Sequence, residues 1–370
     1  MQKLAIEDIT KRYGRTVAVD NVSFACAQGE FFSILGASGA GKSTLLKTVA
    51  GIVKPDAGRV LLDGGDVTTR PIQERNVAMA FENYSLYPQM KVYENIAFPL
   101  RAPTRPRRLS PTEEREKVVH VAKILSIEPY LDRLPGQLSG GQRQRVSLAR
   151  AMVREPNVFL LDEPLAHLDA KLKFQTRTRL KQLALEIGAT TLYVTHDFRE
   201  ALSLSDRILI LREGRIEQIG TPKEIYHQPA TDFVAALVGD PPMNLIDGRL
   251  RSEGGRLRFE VEDAPVPIVI DLPSAQATVN VRDDGLVRLG CRPGDVRYGT
   301  GATSGAVRLP VYAVEHSAEA SLLSFSLGHD RIVQAQVPGR VTAQVGEPIE
   351  IGFPADRLFL FRKTFELGEV

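Results

Sequence analysis

Cysteine is almost missing from this 370-residue chain, which holds only Cys26 and Cys291, far apart in sequence. Two thiols cannot build a disulfide framework, so a small stapled secreted fold is excluded and a reducing cytoplasm is the simplest setting. Long apolar runs are missing too. None is long enough to span a bilayer, which takes about 20 residues, so any membrane role is expected to come through a partner. The amino terminus, MQKLAIEDITKRYG, is charged and alternating, without the apolar core of a signal peptide. Charge of one sign is also scarce: a net charge of +2 predicts no strong pull toward nucleic acid or anionic lipid. Low-complexity segments and heptad runs do not occur. The basic, proline-rich run at 101–108 (RAPTRPRR) reads as a solvated surface loop with no nucleic-acid role.

What is present is ordinary globular composition, 43% hydrophobic and 25% charged, on a chain too long for one usual core. Two domains are therefore expected. Residues 31–35 (FFSIL), 158–161 (VFLL) and 191–195 (TLYVT) are short continuous apolar runs, as strands buried on both faces require. Helical spacing at 112–125 and 171–187 alternates with them, which predicts an α/β domain with a largely parallel sheet. A Pro- and Gly-bearing stretch at 239–248 (GDPPMNLIDG) marks a boundary. Beyond it, segments at 256–261, 266–272, 322–327 and 332–337 are short, β-prone and separated by turn residues. The expected division is 1–238 for the α/β domain and 239–370 for a small all-β domain.

Residues 36–44 read GASGAGKST, which fits G-x-x-x-x-G-K-[ST]. The motif follows FFSIL and precedes LLKTVAGI, so it lies between a strand and a helix. Gly36, Ser38, Gly39, Ala40 and Gly41 supply a turning backbone whose N–H groups can face one anion, and Thr44 closes the motif in the helix. The helix start adds its partial positive charge. Lys42 can reach the β- and γ-phosphates of a nucleotide, and the Ser43 hydroxyl can coordinate Mg²⁺.

Asp162 and Glu163 follow the strand NVFLL directly, at the end where open α/β sheets hold their ligands. Asp162 is expected to hold Mg²⁺, directly or through water, and Glu163 to position or deprotonate the attacking water. His196 ends TLYVT in the same way, where an imidazole N–H can hydrogen-bond the γ-phosphate.

The discriminating segment is LSGGQ at 138–142, followed by RQRVSLARAM. Ser-Gly-Gly ahead of a helix is a second phosphate-binding helix start. A chain with two such starts uses both on one nucleotide or presents one to another molecule. LSGGQRQR resembles the signature of the ATP-binding-cassette (ABC) ATPases. That resemblance implies a head-to-tail dimer with two ATPs at its interface, in which Ser139, Gly140, Gly141 and Gln142 cap the γ-phosphate held by the partner subunit. It also implies an inserted helical subdomain, about 88–156, in a P-loop NTPase fold. Tyr13 in KRYG resembles the aromatic residue that stacks on adenine. Leu168-Asp169 resembles the loop that contacts the opposite site, with Ala166 where the family often has serine. MAFENYSLYP resembles the Q-loop, but glutamate stands at Glu82 where typical members have glutamine. Either side chain offers Mg²⁺ an oxygen, while the carboxylate adds a negative charge beside the triphosphate and Asp162.

The tail carries a looser resemblance. PPMNLI (241–246), LGCRPGDVR (289–297), VYAVEHSAEASLLSFSLG (311–328) and FPADRLFLF (353–361) look like the oligonucleotide-binding-like (TOBE) accessory domain of carbohydrate-import ABC ATPases, the maltose- and glycerol-phosphate-type subunits. TPKEIYHQPATDFVAALVG, between the domains, also resembles that group. The segments lack a basic-aromatic platform for stacked bases, so no nucleic-acid binding is expected. The resemblance implies an ATPase at the cytoplasmic face of the membrane, working with a second ATPase subunit and two transmembrane permease subunits. An extracytoplasmic solute-binding protein is an indirect partner. The solute class would be a sugar, polyol or glycerol-phosphate-like compound. Homodimer and heterodimer stay open. The alternatives are a partner ATPase of reduced activity in a heterodimer, suggested by Glu82 and Ala166, and a soluble ABC ATPase unconnected with transport.

Overall fold

The computed structural model describes residues 2–366 apart from 81–85, 103–107, 155, 167–169, 254–255, 263–266, 273–285, 300–305 and 329–330. Glu82, Leu168, Asp169, most of the basic run at 101–108 and Val266 therefore lie outside the described residues. By contacts the chain divides into Met1–Ile225 and Tyr226–Val370.

In the first unit the strands are β1 (Gln2–Tyr13), β2 (Thr16–Ala27), β3 (Phe31–Leu35), β4 (Ala57–Leu62), β5 (Gly65–Asp66), β6 (Val77–Ala80), β7 (Val158–Asp162), β8 (Thr190–Thr195), β9 (Arg207–Arg212) and β10 (Arg215–Gly220). Helices α1 (Lys42–Ala50), α2 (Val92–Ala97), α3 (Pro111–Ile124), α4 (Gly140–Met152), α5 (Ala170–Ile187) and α6 (Phe198–Leu204) join them. Among the described residues the larger sheet runs β10-β9-β3-β8-β7-β6 and is parallel except for the β9–β10 hairpin.

The three apolar runs are its central strands. Side chains alternate faces along a strand, and here both faces meet a core. Phe31, Phe159, Leu161 and Tyr193 enter one core with α2, α3 and α4. Phe32, Val158, Leu160 and Leu192 enter the other, with α1 and the second, antiparallel sheet β2-β1-β4-β5. That double burial is why FFSIL and VFLL show no polar alternation. It also sets the rim: β3, β7 and β8 run in parallel, so Leu35, Asp162 and Thr195 end at the same edge.

The second unit is all-β beyond its short helix Asp232–Leu237. Its strands are β11 (Asn244–Glu253), β12 (Arg256–Val261), β13 (Val269–Leu272), β14 (Leu286–Cys291), β15 (Arg297–Tyr298), β16 (Val307–His316), β17 (Ala320–Ser326), β18 (Ile332–Pro338), β19 (Pro348–Gly352) and β20 (Leu358–Phe361). They form antiparallel sheets in the orders β13-β12-β11-β14-β20 and β15-β19-β16-β17-β18, around one core containing Phe259, Leu289, Phe325, Ile351 and Phe353. The contact division falls ahead of the 238/239 boundary read from the Pro- and Gly-bearing stretch. The reason is a buried ion pair. Asp232 is fully buried, lies 2.9 Å from Arg288 of β14 and accepts the Thr364 backbone N–H at 3.0 Å. Those bonds fasten its helix to the β unit.

Candidate active site

The site is built where β3 gives way to α1. The loop between them lies tight against neighbouring backbone. A Cβ on Gly36 would stand 2.3 Å from the Leu211 carbonyl oxygen, and one on Gly41 would stand 2.2 Å from that of Ala18. Gly41 also takes φ +102°, in the left-handed region that side chains resist. Glycine at both positions is therefore a packing requirement. No side chain caps α1 and no acidic residue lies in its first turn, so the positive end of that helix is left facing the loop.

Lys42 is buried, and its Nζ donates to the carbonyls of Gly36 at 3.0 Å and Ala37 at 2.9 Å. The same Nζ lies 3.7 Å from Glu163 Oε1. Ser43 Oγ donates to Asp162 Oδ1 at 2.9 Å. Glu163 Oε2 lies 2.8 Å from His196 Nδ1. Glu163 itself holds φ +45°, a strained conformation for a residue with a side chain, while its N–H donates to the Val194 carbonyl at 3.0 Å. That turn directs the carboxylate along the rim toward both Lys42 and His196. A cleft of about 530 Å³ opens here, lined by Ala18, Ser38, Gly39, Gly41, Lys42, Ser43, Thr44, Glu163 and His196. Ala40 is buried beneath the loop, and its carbonyl accepts the Gly214 N–H at 3.0 Å.

The donor set suits a hard cation that arrives with phosphates. One hydroxyl and one carboxylate stand together, which matches the sparse protein ligation typical of Mg²⁺. Among the described residues no group of three or more His, Cys, Asp or Glu could hold a metal ion alone.

Other expected residues stand elsewhere. Ser139, Gly140, Gly141 and Gln142 do not line the cleft. They start α4 in a reciprocal cap: Ser139 Oγ accepts the Gln142 N–H at 3.3 Å, and Gln142 Oε1 accepts the Ser139 N–H at 2.9 Å. Tyr13 ends β1 half-exposed, with the Lys11 ammonium 5.5 Å from its ring centre, and is also absent from the cleft lining. The Ala166 N–H donates to the Glu163 carbonyl at 3.2 Å, closing the turn after β7.

Two features escaped sequence reading. Ala18 meets the loop through its backbone, which no side-chain pattern announces. Glu200 is a buried carboxylate behind His196, joined to Tyr193 and Thr195.

Comparison with known proteins agrees with this geometry. The ABC transporter family model matches residues 19–166. The sn-glycerol-3-phosphate import ATP-binding protein UgpC 1 of Rhizobium johnstonii is 40% identical, covering 98% of this chain and 94% of that protein. The sulfoquinovosyl glycerol transport ATP-binding protein SmoE of Agrobacterium fabrum is 41% identical, covering 99% of each. Among solved structures, a post-hydrolysis dimer of the ATP-binding cassette MJ0796 bound to ADP and Pi superposes with a TM-score of 0.55. It is 32% identical and covers 59% of this chain and 98% of its own.

Proposed function

The chain belongs to the ABC transporter family, among the ATP-binding subunits of carbohydrate importers, and from that premise we propose that it hydrolyses ATP to drive import of a sugar, polyol or glycerol-phosphate-like solute. The observation that carries this reading is the convergence of Lys42, the Ser43–Asp162 pair and the Glu163–His196 pair on one sheet rim.

Each residue has a task. The α1 end and the loop N–H groups take the phosphates, and the phosphates compete with the Gly36 and Ala37 carbonyls for Lys42. Ser43 and Asp162 would hold Mg²⁺, which when bound would neutralise charge on the phosphate oxygens. Glu163 Oε2 orients the attacking water and accepts its proton, and His196 keeps that carboxylate in place. Glu82 would offer the metal a further oxygen, and Tyr13 would stack on the adenine. Ser139, Gly140, Gly141 and Gln142, with Asp169, serve the ATP of a second ATPase subunit. Their placement away from the chain's own cleft supports this reading, since a chain with two phosphate-binding helix starts can offer one across a dimer. ATP then closes the dimer and hydrolysis lets it reopen, because the differential contact is the γ-phosphate itself.

No helix among the described residues is long and apolar enough to cross a membrane. The chain works at the cytoplasmic face against two transmembrane permease subunits, which its Q-loop region, 82–88, touches. A solute-binding protein outside delivers cargo. The all-β unit, 239–370 in the sequence reading, serves as an OB-like accessory domain for dimerisation and regulation.

The test is uptake by membrane vesicles containing the chain and its permease subunits. ATP-dependent accumulation of labelled glycerol phosphate or a related solute, lost in Lys42→Ala, is the expected result. A second reading, a less active member of a heterodimer, rests on Glu82. It predicts that the purified chain alone turns over ATP far more slowly than an equimolar mixture with its partner.

A further inference from the structure

The hydrolytic reading gives no task to the buried carboxylate next to His196. Glu200, in α6, is 4% exposed. Its Oε2 accepts from the Tyr193 hydroxyl at 2.8 Å and from the Thr195 hydroxyl at 2.7 Å. Its Oε1 lies 3.7 Å from Lys173 Nζ on α5. Thr195 Oγ1 also accepts the backbone N–H of Asp197 at 3.0 Å. One carboxylate thus holds the residues on both sides of His196.

A buried carboxylate is costly unless donors surround it, and filling space here would need only an apolar side chain. Tyr193 is suited to be such a donor. Burial, and after it the charge of Glu200, push its phenol well above the ordinary value, so the proton stays on the oxygen. A second tie runs beside the first, since Arg177 Nη1 on α5 donates to the Arg199 carbonyl at 3.4 Å. Lys173 and Arg177 are four residues apart, on one face of α5. That helix is the next element after β7, which delivers Asp162 and Glu163. The segment on both sides of His196 is therefore tied to α5, the helix that follows the β7 turn, behind the 2.8 Å contact that joins Glu163 and His196.

We propose that Glu200 is a positioning residue for ATP hydrolysis: by clamping Thr195 and Asp197 to α5 it fixes His196 at hydrogen-bonding distance from Glu163. The inference rests on the reading that Glu163 and His196 serve hydrolysis. Its signature is loss of turnover without loss of nucleotide binding, because no Glu200 atom lines the cleft.

The experiment is steady-state ATPase kinetics on the full chain, with selective ¹⁵N-histidine NMR. The sequence holds six histidines, and His196 is assigned by comparison with His196→Gln. Glu200→Gln and Thr195→Val are expected to lower kcat about tenfold or more, leave KM for ATP within about twofold, and move the His196 ring resonances. Thr195→Ser, which keeps the hydroxyl, is expected to restore both. If Glu200→Gln melts too early to assay, Lys173→Met breaks the same clamp from its partly exposed side and should show the same split. Unchanged kcat with unmoved His196 resonances overturns the proposal, as does a loss of kcat matched by an equal rise in KM. If wild type turns over no ATP either alone or with its partner ATPase, the hydrolytic reading fails by itself. The His196 resonances then decide the clamp: unmoved in Glu200→Gln, they overturn it.

Discussion

Replacing Glu163 with glutamine removes one charge while keeping the side chain's length and a hydrogen-bonding oxygen. The backbone has no reason to move, since glutamine meets the same cost as glutamate at φ +45°. Two consequences follow, in opposite directions. Loss of the proton acceptor is expected to lower kcat by about 10²–10⁴-fold, the usual worth of a positioned general base. Loss of the charge also releases Lys42. At 3.7 Å, with both groups mostly buried, their attraction is at most about 4.5 kcal/mol for an effective dielectric near 20. Lys42 is a group that the triphosphate needs, so ATP should bind more tightly even as turnover fails. Phosphate release gives kcat, and titration with a fluorescent ATP analogue gives Kd. A fall in kcat of less than about tenfold would refute the role given to Glu163. A Kd that rises in step with the loss of kcat would refute the competition for Lys42.

Other perturbations separate the remaining parts. If Glu82 serves the metal as proposed, Glu82→Gln removes a negative charge from that site and is expected to raise the Mg²⁺-dependent rate; unchanged rate and Mg²⁺ dependence would make the glutamate neutral. Gly41→Ala places a Cβ 2.2 Å from the Ala18 carbonyl at φ +102°, so nucleotide affinity should fall by an order of magnitude, read by equilibrium titration. Arg288→Met leaves Asp232 buried without its cation, and urea unfolding should show a loss of about 3–5 kcal/mol in the β unit. The same variant tests pH dependence. Burial pushes Asp247 upward, but the Arg288 hydrogen bonds and charge, with Lys363, outweigh it and hold the carboxyl below its ordinary range. Such a group stabilises the fold above the usual carboxylate range, and that contribution is lost as pH falls through the lowered value. Arg288→Met should flatten that acid-side slope.

The convergence of Lys42, Asp162, Glu163 and His196 on one rim was legible in sequence because its strands are buried on both faces. FFSIL, NVFLL and TLYVT carry no alternation to confuse with a surface strand; NVFLL and TLYVT each deliver a polar residue just past the end, and FFSIL delivers the glycine-rich loop. The helix expected at 112–125 is observed at Pro111–Ile124, where Ser110 and Glu113 cap it. Less of the remainder could be read. The β1–β2 hairpin bends at Asp8 and Asn21, both at positive φ, and those bulges blur the alternation of a half-buried strand. The unit division depends on Asp232 meeting Arg288, a pairing across 56 residues that no local composition marks. Glu200 hid in FREALSL, where a single acid on a short helix looks like a solvated residue; only its contacts with Tyr193 and Thr195 make it a clamp. The LSGGQ segment shows the reverse case. Locally it is a well-formed helix cap, and the second role proposed for it rests on what a partner subunit would bring to it.

In the proposed function this rim hydrolyses ATP with a metal that Ser43 and Asp162 would hold. The most direct measurement is phosphate release from ATP by the purified full chain, titrated with Mg²⁺, beside Lys42→Ala. Release is expected to saturate with Mg²⁺ and to disappear in Lys42→Ala. Release that ignores Mg²⁺, or that survives in Lys42→Ala, would contradict that function.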